Sequence, residues 1–283
     1  MVEYTNDIET LRQWVGRTEA VTETISAPWA NRLAHTVGRE ATLANGDYLP
    51  PLWHFATHLT SVPLESLDVD GHSVRGAFLP PVALPRRMWA AGSLTFTGDL
   101  HLGESVTKTS TVTNVEAKTG RSGPLCFVTV AHELAVDGDI RISEVQDLVY
   151  LEHPDPRAPT PTPTPAPTAS DFSREIIPSE VMLFRYSALT FNGHRIHYDR
   201  DYATTVEGYS GLVVHGPLTA TLLADLAVRE TGERLASFSF RGRAPLFDDA
   251  PFVIAGARSG ADVNLWAQSR NGDLAMEATA TIR

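Results

Sequence analysis

The stretch "HPDPRAPTPTPTPAPTASD", residues 153–171, constrains this chain more than any other. Proline fixes φ at about −65° and removes an amide donor, so alternating prolines exclude helix and interior strand and favour an extended polyproline path. At about 3.1 Å per residue that path reaches roughly 50 Å, enough to cross the face of a small domain. The chain therefore divides into two modules, 1–152 and 172–283, joined by a Pro-rich linker over 153–171. Each module is of ordinary domain size.

The two modules share one order of elements. In the first, the amphipathic "DIETLRQWVG" leads to "DYLPPLWHFATHLTSVP", where the proline pair opens a helix over about 50–61. The runs "SLTFTGDL", "ESVTKTSTVTNVEAKT", "LCFVTVAHELAVDG" and "IRISEVQDLVYLE" alternate and are rich in Val and Thr, with Asp137-Gly138 as a hairpin turn. In the second, positions 218, 221, 222, 225 and 226 recur at helical spacing, and Pro217 suits a first turn. "RLASFSFRGRA", "PFVIAGARSG", "DVNLWAQSR" and "LAMEATATI" then read as strands. A helix followed by an antiparallel meander, twice over, predicts an α+β chain with two sheets, each wrapped round a central helix.

Charge and cysteine content narrow the function classes. A formal net charge of −11 gives no overall basic footprint for a nucleic acid. The one cysteine, Cys126, cannot close an internal disulfide and sits in an apolar run as a small core residue. No apolar run nears the ~20 residues that span a bilayer. The first residues, "MVEYTNDIETLRQW", are acidic and polar, without the pattern of a signal peptide. The expectation is a soluble cytoplasmic protein with neither nucleic-acid nor membrane partners.

Chemistry concentrates in "LTFNGHRIHYDRDYA", residues 189–203, and in "GLVVHGPLTATLL" after it. A histidine moves protons near neutral pH, and an asparagine can orient water, so Asn192, His194 and His197 form a candidate set. Gly216 immediately precedes Pro217 at a helix entrance, where free amides can hold an oxygen that becomes negative. Two other readings stay open on the residues alone: a hydrophilic loop without chemistry, and a metal site built from His194, His197, Asp199 and His215. No cysteine or glutamate is placed to complete a tetrahedral set.

The segment from about 184 to 226 resembles the motif of the MaoC-like (hydratase-2) family, with aspartate, then asparagine, then histidine, ahead of a glycine-containing helix entrance. Here those positions are Asn192, His194 and His197. "FNGHRIHYD" is similar to the subgroup that includes mesaconyl-C4-CoA hydratase, itaconyl-CoA hydratase and 3-hydroxyacyl-thioester dehydratase 2. "GDYLPPLWHF", "RGAFLPPVALPRRMWAAGSLTF" and "GRSGPLCFVTVAHEL" resemble the divergent N-terminal hot-dog domain of that subgroup. The resemblance implies a double hot-dog fold and a hydratase/dehydratase acting on an acyl-CoA, with a C5 branched dicarboxylyl-CoA first among substrates. Two alternatives remain: a dehydratase of 3-hydroxyacyl thioesters in fatty-acid or polyketide synthesis, and a hot-dog thioesterase or acyl-thioester binder. One departure stands out, because the usual aspartate is Asn192.

The resemblance and the chemistry together assign catalytic roles. His197 is expected to be the base that takes a proton from water and returns it at Cα, Asn192 to position the water, and the Gly216 amide to hold the thioester oxyanion. Substrate binding falls to His194, Arg195, His215, Arg87 and Arg241, since arginine grips carboxylate or phosphate bidentately. No cofactor is expected beyond the coenzyme A of the substrate, and homo-oligomerisation is compatible with the family. The first module, whose histidines are scattered, is expected to shape the pocket without supplying catalytic groups, and His54 and His58 to be a structural pair.

Overall fold

The computed structural model describes residues 3–40, 42–120, 123–153 and 162–283. Residues 154–161 of the expected linker lie outside the described residues. Before them come α1 (Ile8–Arg12), β1 (Thr18–Thr24), α2 (Ala27–Thr36), β2 (Arg86–Phe96), β3 (Ser105–Gly120), β4 (Gly123–Val136) and β5 (Asp139–Leu151). After them come β6 (Phe172–Ile176), α3 (Glu180–Leu189), α4 (Gly216–Thr231), β7 (Leu235–Gly242), β8 (Phe252–Ser259), β9 (Asp262–Gln268) and β10 (Leu274–Ile282).

The strands form one ten-stranded sheet in the order β1-β3-β4-β5-β2-β7-β10-β9-β8-β6. All its pairings are antiparallel. The architecture is the expected α+β double hot-dog, with one correction: the two sheets are not separate. β2 of the first half pairs with β7 of the second from Ala91↔Arg241 to Thr95↔Ser237. Gly92 sits opposite Phe240, and a Cβ there would lie 2.6 Å from the Phe240 ring, so the joint needs a residue without a side chain. Asp137 and Gly138 make the β4–β5 turn with φ +50° and +88°, the two positive values a tight hairpin needs.

α4 is the central helix of the second half. Every residue from Leu218 to Ala227 is buried, packed against β6 to β10. Gly232 ends it at φ +71°. The first half departs from expectation. Its segment 50–61 forms only one tight turn, Trp53–Ala56, because Leu52 (φ +66°) and His58 (φ +53°) leave the right-handed region on either side. The helix of that half is α2, whose Ala30, Leu33 and Ala34 enter the core beside Leu94, Phe96 and Val106.

One apolar core runs through both halves, with Leu94 and Phe96 of β2 joined to Phe238 and Phe240 of β7 and to α4. Ion pairs cross between them: Arg86 donates to buried Glu207 at 2.7 Å, and Arg39 meets buried Asp225 of α4 at 2.8 Å. The described end of the linker lies along the second half, with Ala166 N–H donating to Gly272 O at 2.9 Å.

Candidate active site

α3 begins with the Ser179 hydroxyl accepting the Met182 amide at 3.2 Å and ends as Phe191 turns to φ +48°. The chain then reverses. Asn192 N–H donates back to Ser187 O at 2.8 Å, and Asn192 Oδ1 accepts the His194 N–H at 2.9 Å, an Asx turn. Its oxygen thus holds the loop's own backbone, while its Nδ2 has no partner among the described residues.

The loop closes in one turn, Arg195–His197, pinned to the next segment by two bonds. Val213 N–H donates to Ile196 O at 3.0 Å, and His197 Nδ1–H donates to Val213 O at 2.7 Å. A carbonyl can only accept, so the proton sits on Nδ1 and Nε2 carries a lone pair. That atom has no partner among the described residues and is not sealed from solvent. Burial pushes the His197 pKa down to about 4, so the ring is a neutral acceptor at pH 7.

His215 stacks on His197, centroids 3.6 Å apart and planes 17° from parallel, with Nε2 bonded to the Ser187 hydroxyl at 2.9 Å. It is 1% exposed. The substrate-binding role expected of His215 is therefore corrected: it is a plate behind His197 that fixes the ring's plane. Next to it, Gly216 opens α4. Its N–H has no acceptor among the described residues, as befits the first turn of a helix, and a Cβ there would lie 4.0 Å from Trp89 O. Packing within the chain leaves room for a side chain, so the open face is available to a ligand oxygen.

His194 lies between His197, edge-on with centroids 5.5 Å apart, and a residue of the first half, His72, at 4.1 Å. His72 is held by Asp70, whose Oδ2 accepts Nδ1–H at 2.8 Å and whose Oδ1 accepts the His72 backbone N–H at 2.8 Å. Burial works against the Asp70 charge, but these bonds and the nearby imidazoles hold its carboxyl well below the usual range. Burial, then the positive charge of Arg87, pushes His72 down to about 4. His194 is held lower still, by burial and then by His72 and His197. Arg87 is half-buried on β2 and has no ion-pair partner among the described residues.

The expected substrate-binding arginines separate here. Arg87 stands at the cluster. Arg195 is a clamp: it pairs with Asp199 at 2.7 Å, donates to Val69 O at 3.1 Å and covers the Tyr202 ring at 4.1 Å. Arg241 is a correction. On β7 it is exposed and alternates with buried Phe238 and Phe240, so it projects from the face away from the core.

Asp70 and His72 are the residues that reading along the sequence missed. His54 and His58, by contrast, are structural: His54 Nε2 pairs with buried Glu144 at 3.2 Å, and His58 Nε2 donates to Val106 O at 2.8 Å. The cation site considered from the sequence does not assemble, since Asp199 is engaged by Arg195. Asp70, His72 and His194 do offer ligand atoms within 4.8 Å of one another, the set among the described residues that a cation could use. Asp70 and His72 spend those atoms on each other beside the Arg87 charge, an arrangement suited to handling protons. Two clefts lie in the protein surface, of which the first shares Asp70 and Arg195 with the cluster and its loops and the second shares no residue with the cluster. One of about 540 Å³ is lined by Asp70, Arg75 and Arg195, the other of about 590 Å³ by Trp29, Leu189 and Phe191.

Residues 52–248 match the family model described as hydroxyacyl-thioester dehydratase type 2. The chain is 44% identical over 270 residues to the mesaconyl-C(4)-CoA hydratase of Chloroflexus aurantiacus, covering 95% of this chain and 96% of that protein. Among solved structures, HtdX of Mycobacterium tuberculosis superposes with a TM-score of 0.68 at 20% identity, over 93% of this chain and 99% of that one. A second M. tuberculosis protein, described as having a double hotdog fold, superposes at 0.57 and 12% identity, over 95% and 96%.

Proposed function

Because this chain belongs to the hydroxyacyl-thioester dehydratase type 2 family, we propose that it adds water reversibly across the double bond of an α,β-unsaturated acyl-CoA, with mesaconyl-C4-CoA as substrate and citramalyl-CoA as product. The single observation that carries the reading is the pairing of His197 Nε2, a neutral and open acceptor, with the free amide of Gly216 at the entrance to α4. Hydration needs a base for the water and a donor for the thioester oxygen, and these two groups supply them.

His197 Nε2 takes a proton from water as its oxygen bonds Cβ. The π electrons move to the thioester oxygen, where the Gly216 N–H and the positive end of α4 stabilise the enolate. The imidazolium returns the proton at Cα. His215, stacked behind, and the Val213 carbonyl hold the ring through both transfers. The steps use only the protein's own groups and the coenzyme A of the substrate. In mesaconyl-C4-CoA the free carboxylate is bonded to Cβ itself, so its partner must be a cation beside the attacking water. Arg87, unpaired among the described residues and electrostatically felt by His72 and His194, meets that requirement.

The test is a panel of mesaconyl-C4-CoA, itaconyl-CoA, crotonyl-CoA and longer enoyl-CoAs. Gain of one water without free thiol, fastest on mesaconyl-C4-CoA, is the expected result, and His197→Ala should lower kcat by about 10²–10⁴. Release of CoA-SH would identify a thioesterase instead. Preference for long 3-hydroxyacyl thioesters would favour the dehydratase reading that the family description suggests.

A further inference from the structure

The tripeptides Asp70-Gly71-His72 and Asn192-Gly193-His194 are closed by the same side-chain-to-backbone bond, although of the two glycines only Gly71 takes a positive φ, +88°. In each, Oδ1 of the first residue accepts the backbone N–H of the histidine, at 2.8 Å and 2.9 Å. Their glycines meet face to face. A Cβ on Gly71 would lie 1.9 Å from Gly193 O, and one on Gly193 would lie 2.7 Å from Gly71 O. The contact is locked by Arg195, whose backbone N–H donates to Asp70 O at 2.9 Å and whose guanidinium reaches Val69 O at 3.1 Å. A surface loop does not require two bare backbones pressed together. A loop that must carry a side chain into a site on the other half of the molecule does.

The side chain carried in is His72. The side chains differ as well: Asp70 Oδ2 also accepts His72 Nδ1–H at 2.8 Å, whereas His194 has no side-chain hydrogen bond among the described residues. His72 therefore matches His197, with its proton fixed on Nδ1 and its lone pair on an Nε2 that has no partner among the described residues and is not sealed from solvent. The site has two such acceptors, and the mechanism above uses one.

We infer that His72 is a second catalytic residue of the hydration, with Asp70 as its positioning residue. His72 Nε2 accepts a hydrogen bond from the attacking water while His197 Nε2 takes the other proton. The inference rests on the hydratase reading. As the water oxygen bonds Cβ, one O–H bond breaks and its proton goes to His197. The π pair moves to the thioester oxygen. The second O–H bond survives as the hydroxyl of the product and donates to His72 throughout. His197 then returns its proton to Cα as the carbonyl reforms, and no other reactant is consumed. A water held by two acceptors presents its lone pair to Cβ, whereas one acceptor leaves it free to turn.

The test compares wild type with His72→Leu, His72→Gln and Asp70→Asn on mesaconyl-C4-CoA and crotonyl-CoA, with kcat, KM and the unfolding midpoint measured for each. His72→Leu should lose about 10²-fold or more in kcat with KM within about threefold. His72→Gln, whose side-chain oxygen accepts a hydrogen bond, should recover part of that loss. Asp70→Asn is isosteric but can present N–H to Nδ1 and move the imidazole proton to Nε2, so it should lose about as much kcat as His72→Leu with the histidine in place. If His72→Leu does not fold, Asp70→Asn decides the matter alone. A His72→Leu or folded Asp70→Asn enzyme that keeps more than a tenth of wild-type kcat overturns the inference, as do variants that change only KM or the unfolding midpoint. Wild-type protein that leaves both thioesters unchanged overturns the hydratase reading and this inference with it. Active wild type with active variants overturns this one alone.

Discussion

Gly71→Ala tests whether contact between the halves builds the site. The substitution adds one methyl group at φ +88°, 1.9 Å from Gly193 O. Ordinary contact begins near 3.4 Å, so the two loops must separate by about 1.5 Å, or the chain must leave the left-handed region and carry Asp70 and His72 with it. Either movement breaks the 2.9 Å bond from Arg195 N–H to Asp70 O. Left-handed strain of about 1–2 kcal/mol and a lost hydrogen bond of about 1 kcal/mol give a destabilisation of roughly 2–3 kcal/mol. A misplacement of about 1 Å at the chemistry costs on the order of 10²-fold in rate, so kcat should fall by that factor. The assay is hydration of mesaconyl-C4-CoA alongside urea denaturation. Gly232→Ala is the control: it meets the same kind of strain at φ +71° with nothing within 4 Å, so it should lose about 1–2 kcal/mol of stability and keep its kcat. A Gly71→Ala enzyme with kcat within threefold of wild type would refute the reasoning. So would equal loss of activity in the Gly232→Ala control.

Arg87→Met should lower kcat/KM for mesaconyl-C4-CoA by about 10–100-fold, the worth of a charged hydrogen bond, and leave crotonyl-CoA nearly unaffected; equal losses on both substrates would remove Arg87 from carboxylate recognition. Stability should fall on acidification. His72 and His197 titrate near 4 in the folded chain, against 6.5 for an ordinary histidine. The unfolded chain therefore binds protons first, and stability is complete above pH 6.5 and lost as pH falls toward 4, by up to roughly 3 kcal/mol for each ring. Urea midpoints at pH 7.5, 6 and 5 measure it, and equal values across that range would contradict the burial of these rings.

The strands were legible because alternation and the Asp137-Gly138 turn are local signals, and eight of the ten lie on runs that alternation marks. α4 was legible for the same reason, with helical spacing and Pro217 at its start. The helix expected over 50–61 was not, since left-handed Leu52 and His58 are set by burial of Trp53, His54 and His58 against distant strands. Nor was the β2–β7 joint, which depends on Gly92 lying opposite Phe240, residues far apart in sequence. At the site, His197, Gly216 and the 192–197 loop could be read from one continuous segment. His215 and Arg241 could not be sorted, because their difference is which way a side chain faces. Asp70 and His72 were lost among scattered histidines. The signal that would have found them is the pair of similar tripeptides, Asp-Gly-His at 70–72 and Asn-Gly-His at 192–194.

That pair also accounts for Asn192. An Asx turn requires only a side-chain oxygen, and asparagine supplies it as well as aspartate, so the backbone that aims His194 and His197 survives the change. What asparagine does not supply is a negative charge and a second accepting oxygen. Both are present across the glycine contact, on Asp70, which makes the same side-chain-to-backbone bond and adds the bond to His72. A second carboxylate at 192 would bring two like charges to loops that already touch at Gly71 and Gly193, and burial would force one of them to hold a proton. With asparagine in one turn and aspartate in the other, the cluster keeps one carboxylate, ionised and spent on one imidazole. His197 then stays neutral with its lone pair free. The departure at 192 and the loop from the first half are thus one arrangement, and an Asn192→Asp substitution made alone would crowd the carboxylate that Asp70 already provides.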